Sequence, residues 1–243
     1  MDYWQDFEAE ARHTERLTLS HSPVTVDLLR ATISLYAEGL GLATSPDTTD
    51  ASLVRAGLIS QNFNSLKAAV DLACRGYYIQ SIGVLRGVYE NWLAFWYLSH
   101  HPEEANRWLE SLGRRPPKAE TMKNKIPYPS TDMKAKLGNF YKELCLFSHT
   151  GSLCVIPLLA DEGDKRIVHH GVQYNAGHFL ATAYSIFLWA GNMTSLLGLW
   201  IHANSPWHHK QRRNTDELLN FTDRFNAEYG METVVPRIEN TVG

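Results

Sequence analysis

Between Phe179 and Ile201 the chain runs for 23 residues without an Asp, Glu, Lys or Arg. A helix of about 20 residues is about 30 Å long, the thickness of a bilayer core. The stretch is therefore either a membrane span or a helix enclosed on all sides by protein. Its polar side chains favour the second. Thr182, Ser185, Asn192, Thr194 and Ser195 are spread along its length, which suits a protein core better than lipid. We expect a buried helix from about Asn175 to His202 and no membrane association.

The rest of the chain supplies helices to surround it. Leu29, Ile33, Tyr36 and Leu40 recur at helical spacing, as do Leu53, Ala56, Ser60, Phe63, Leu66, Val70 and Cys74. Asp50 or Ser52 is expected to cap the second of these helices, which ends near Gly76. The next, from about Tyr78 to Ser99, carries Ile82, Leu85, Tyr89, Trp92, Leu93 and Trp96. Gly83 and Gly87 on it, and Ala183, Ala190, Gly191 and Gly198 on the uncharged helix, suggest that these two helices meet along small residues. Pro102 opens a short helix, and the prolines between 113 and 130 predict a loop. Ser130 or Thr131 caps a helix through Phe147. The stretch 153–173 reads as a β-hairpin around DEGDKR, SPWHHKQRR as a polar linker, and Asn214 with Glu217 as a capping box for a last helix. The expectation is one mainly α domain over 1–243, a single helical bundle of about six helices with a small β-hairpin insertion and a loosely ordered tail at 230–243. A chain of 243 residues is long enough to bury such a core without staples.

Charge and cysteine usage narrow the function classes. The formal net charge of −3 gives no global attraction to nucleic acid or anionic membranes. The three cysteines, Cys74, Cys145 and Cys154, do not make a disulfide framework. The opening MDYWQDFEAE is acidic and has no apolar run, so a secretory leader is not expected and the cytoplasm is the expected location.

Several residue groups carry chemistry. Arg86 and Glu90 are one helical turn apart among apolar neighbours, either lining a polar pocket or forming a structural ion pair. If the pair is buried, removing one partner costs about 3–5 kcal/mol. Arg75, Tyr89, Tyr141 and Ser148 are candidate pocket residues around it. Cys145 and His149 are also one turn apart, a spacing open to a thiolate–imidazole pair but more often an inert cysteine near a histidine at a helix end. Cys145, His149, Cys154, His169 and His170 are suitable metal ligands whose spacing matches no zinc motif, so no metal and no cofactor is expected. Arg114, Arg115 and Lys118 in one segment, and Arg212 and Arg213 in another, are candidate phosphate contacts if the segments adjoin in space.

LKAAVDLACRGYYIQSIGVLRGVYENWLAFWYLSHHPEEANRWL, from Leu66 to Leu109, and the later YKELCLFSHTG resemble an uncharacterised bacterial family of helical proteins associated with the HEPN-like superfamily. That superfamily includes toxin and abortive-infection proteins. The resemblance implies a helical bundle, a homodimer, and a place in bacterial stress or phage defence, acting on RNA or on a partner protein. Active members are metal-independent ribonucleases with an Arg followed by His after four to six residues. Here that spacing falls on Arg16 and His21, ahead of Pro23 and not on a late bundle helix. The catalytic candidates are therefore Arg86, Glu90 and His149, assembled from separate helices. The reading favoured by the missing motif is a binder of a partner or ligand, with a ribonuclease as the alternative.

Overall fold

The computed structural model describes residues 3–44, 49–110, 117–128, 130–148, 159–162, 165–168 and 173–229. The helices are α1 (Tyr3–His21), α2 (Pro23–Leu42), α3 (Asp50–Cys74), α4 (Tyr78–His100), α5 (Glu104–Glu110), α6 (Ala119–Lys125), α7 (Thr131–Ser148), α8 (Ala176–Gly198) and α9 (Trp207–Tyr229). The protein is mainly helical, with nine helices among the described residues in place of the six expected. The stretch expected to be a hairpin contributes two four-residue strands, β1 (Leu159–Glu162) and β2 (Lys165–Val168), paired antiparallel with Leu159 opposite Val168. Its remaining residues from 153 to 172 lie outside the described residues, as does the 230–243 tail.

α8 is the uncharged helix, and it packs against α2, α3, α4 and α9, with a lighter contact to α1. Thirteen of its side chains are buried, among them Phe179, Phe187, Trp189 and Leu197. Its serine, threonine and asparagine side chains find partners on the helix itself. Thr182, Ser185, Asn192, Thr194 and Ser195 each donate to the carbonyl four residues earlier, at 2.7–3.1 Å. Such internal bonds let a polar side chain enter a core at little desolvation cost. Among the described residues no helix is long and apolar enough to cross a membrane.

α3 and α4 form an antiparallel pair. Their turn is built on Gly76, whose φ of +84° is left-handed and available to glycine without strain. Gly76 N–H donates to Ala73 O at 3.1 Å and Tyr77 N–H to Leu72 O at 2.9 Å, the two bonds of a Schellman stop. The α3 cap is Thr49, which accepts from Ser52 N–H at 3.3 Å, in place of the expected Asp50 or Ser52. Ser130 caps α7 as expected, accepting from Met133 N–H at 3.1 Å.

The segment read as a polar linker opens α9. Trp207 is 1 % exposed and donates its indole N–H to Leu35 O at 2.9 Å. Asn214 is therefore not a cap. It lies inside α9, buried, and donates to Thr32 Oγ1 at 3.0 Å. The expected loop at 113–130 contains α6, a helix of seven residues, too short to leave a readable period.

Gly191 and Gly198 of α8 face α9 and not α4. A Cβ added at Gly198 would meet Trp207 at 3.4 Å, and one at Gly191 would meet Leu218 at 3.5 Å. Gly83 and Gly87 have nothing within 4 Å. They share a face of α4 with Arg86 and Glu90, and that face is turned away from the core.

Candidate functional site

α4 lies between the α3–α8 core and α7. Leu85, Val88, Trp92 and Leu93 are buried, which leaves Arg86 and Glu90 toward the margin where α7 packs. Arg86 Nε donates to Glu90 Oε1 at 3.0 Å. Tyr141 of α7 donates its hydroxyl to the same oxygen at 2.9 Å. The Arg86 guanidinium carbon lies 6.0 Å from the centre of the Tyr141 ring. Arg86 and Glu90 are 29 % and 37 % exposed. The pair is thus half-exposed and does not carry the energetic weight of a buried one.

Beneath this polar group is an aromatic wall. Tyr141 stacks on Tyr89 with ring centres 4.7 Å apart. Tyr89 meets the edge of Trp189 at 5.2 Å, and Trp189 touches Trp92 and Phe140. Burial holds the Tyr141 phenol above its ordinary pKa, and the Glu90 carboxylate adds to that. Burial also raises Tyr89, with Tyr128 and Tyr141 adding smaller effects. Tyr128 is pushed up to about 12, again by burial first and then by Glu120. These phenols stay protonated at neutral pH and are available as donors, and Tyr141 donates to Glu90. Cys145, half-buried one turn further along α7, adds a smaller effect in the same direction on the Tyr141 phenol.

Arg86, Glu90, Tyr89 and Tyr141 therefore come together. Arg75 does not join them. It caps α3 and reaches across to α1, 3.9 Å from Glu8 and 3.7 Å from Glu15, because the Gly76 turn directs it to that side. Ser148 is the last residue of α7. His149, Arg114, Arg115, Cys154, His169 and His170 lie outside the described residues. Lys118 precedes α6, which packs on α4, whereas Arg212 and Arg213 are exposed on α9, which packs on α2 and α8. The two basic segments thus sit on elements with different neighbours. Among the described residues no three His, Cys, Asp or Glu side chains are placed to hold a metal ion.

Sequence reading missed Tyr128 and Trp189. Tyr128 follows Pro127 in a segment with no periodicity. Trp189 is one of many apolar residues in α8, and nothing local distinguishes it. Comparison with protein-family models, with curated proteins and with solved structures finds no match to the chain.

Proposed function

We propose that this bundle is a binding module, that it takes a ligand or partner at the α4–α7 face, and that it serves in bacterial stress or phage defence. The setting rests on the resemblance to HEPN-like proteins. The site rests on one observation: Glu90 Oε1 is held by both Arg86 and Tyr141 on a half-exposed surface above stacked rings. Two donors on one oxygen fix the carboxylate, and Oε2 takes no hydrogen bond from the described residues. A fixed carboxylate beside an aromatic face suits a ligand that presents an N–H or O–H donor and a flat apolar body.

The test is mass spectrometry of what gel-filtered protein retains. Wild type is compared with Glu90→Gln and Tyr141→Phe, each checked for an unchanged melting temperature. A species retained by wild type and reduced at least about tenfold in both variants, or about 1.4 kcal/mol of affinity, is the expected result. Equal retention by all three proteins overturns the assignment of the site.

The alternative is a metal-independent ribonuclease. What favours it is that α7, whose Tyr141 and Cys145 adjoin the Arg86–Glu90 pair, is followed directly in sequence by His149. Histidine near neutral pKa can move the protons of RNA cleavage, and arginine can stabilise developing phosphorane charge. Total RNA incubated without metal separates the readings. Cleavage by wild type that His149→Ala abolishes selects the nuclease, and intact RNA with both selects the binding module.

A further inference from the structure

Tyr89 Oη, Tyr128 Oη and Trp189 Nε1 are buried hydrogen-bond donors with no acceptor. Tyr89 and Trp189 are fully enclosed, at 0 % exposure each, and their rings meet edge to face at 88°. Tyr128 follows α6, which packs on α4, and its ring lies 5.8 Å from Lys134 Nζ of α7, so it borders the same α4–α7 region in which Tyr89 stacks on Tyr141.

Several other polar groups in the core are satisfied by the chain, although the buried Asn226 amide of α9, like these three, takes part in no hydrogen bond among the described residues. Tyr36 donates to Ile59 O at 2.8 Å, Trp207 to Leu35 O at 2.9 Å and Ser81 to Ala69 O at 2.7 Å. Buried polar atoms in native proteins nearly always have a partner, from the protein, from water or from a ligand. Three orphan donors on neighbouring residues therefore mark a place where something outside the chain accepts.

The chemistry of that acceptor follows from its surroundings. An indole N–H can only donate, and a protonated phenol donates well. The walls are aromatic, and the nearby carboxylates are Glu90 and Glu120. Burial and those negative charges both exclude an anion. We propose that Tyr89, Tyr128 and Trp189 form an internal site for a neutral oxygen acceptor, supplied by an ordered water or by the carbonyl of a small molecule. This goes beyond the binding reading above and holds whatever Arg86 and Glu90 bind.

Tyr89→Phe and Tyr128→Phe each remove a hydroxyl and nothing else. Loss of an orphan hydroxyl leaves stability equal or higher, whereas loss of one that holds an occupant lowers it. Each variant is expected to melt about 2–4 °C below wild type. Two further measurements identify the occupant. A carbonyl compound appears in the organic extract of gel-filtered wild type and is missing from Tyr89→Phe. Water instead appears as a long-lived nuclear Overhauser contact to the Trp189 indole proton, with nothing extracted. Either signature together with the lowered melting supports the site. Melting of either variant at or above wild type, or lowered melting with neither signature, overturns it. Because both variants leave Glu90 and Tyr141 in place, failure here is distinct from failure of the α4–α7 assignment.

Discussion

Glu90 accepts two hydrogen bonds on one oxygen, yet a third of its surface remains in water. Solvent screens the charge, and ion pairs of this exposure contribute about 0–1 kcal/mol. Glu90→Ala is therefore expected to lower stability by no more than about 1 kcal/mol in urea denaturation. A loss of 3 kcal/mol or more, on the order of that for a buried pair, would show that the site closes further in solution. The pair was legible in sequence because spacing of four places two residues on one helical face. Its exposure was not, because the same spacing serves a core and a margin equally.

At the scale of elements, glycines separate faces that sequence treats alike. Gly39 of α2 lies under α8 and α9, and an added Cβ would come within 2.6 Å of Leu197 Cδ2 and 2.9 Å of Trp207 Cζ2. Overpacking of this kind costs about 1–3 kcal/mol, so Gly39→Ala is expected to destabilise. Gly83 of α4 has open space at the same position. There a methyl group only restricts the unfolded chain and improves helix propensity, and Gly83→Ala is expected to stabilise by about 0.5–1 kcal/mol. Equilibrium urea unfolding of the two variants reads both signs. Stabilisation of Gly39→Ala would contradict the α2–α8–α9 packing, and destabilisation of Gly83→Ala would mean that α4 is covered on that face. The pairing of α4 with α8 through small residues was expected from the sequence. The two helices do pack on each other, through Tyr89, Trp92 and Trp189, but not through their glycines: α4 turns Gly83 and Gly87 outward with its charged pair, while Gly191 and Gly198 of α8 admit Leu218 and Trp207.

The whole molecule carries a pH limit in its buried phenols. Burial raises Tyr36, Tyr78, Tyr89 and Tyr141 above the ordinary value of 10.0, and Tyr128 to about 12. As pH rises, the unfolded chain loses these protons first. The stability they contribute is fully present below about pH 10 and is lost as pH climbs through the folded values, which for Tyr128 is about 12. Unfolding free energy is expected to hold level from pH 7 to 9 and fall beyond about pH 10. Phenolate absorbance should then rise together with unfolding. Titration of all eleven tyrosines near pH 10 in the still-folded protein would show the phenols to be solvated.

By itself the sequence determined the helical class, the burial of α8, the stop at Gly76, a cap for α7 at Ser130 or Thr131 and the meeting of Arg86 with Glu90. Each depends on period, composition or turn chemistry within a few residues, where backbone geometry leaves little freedom. Only the tertiary structure decided that Arg75 turns to α1, that Asn214 bonds Thr32 across 182 positions, and that Tyr141 and Tyr89 stack over Trp189. These contacts join residues far apart in the chain. Their partners are selected by which faces remain exposed after the helices pack, and that selection is a property of the whole core.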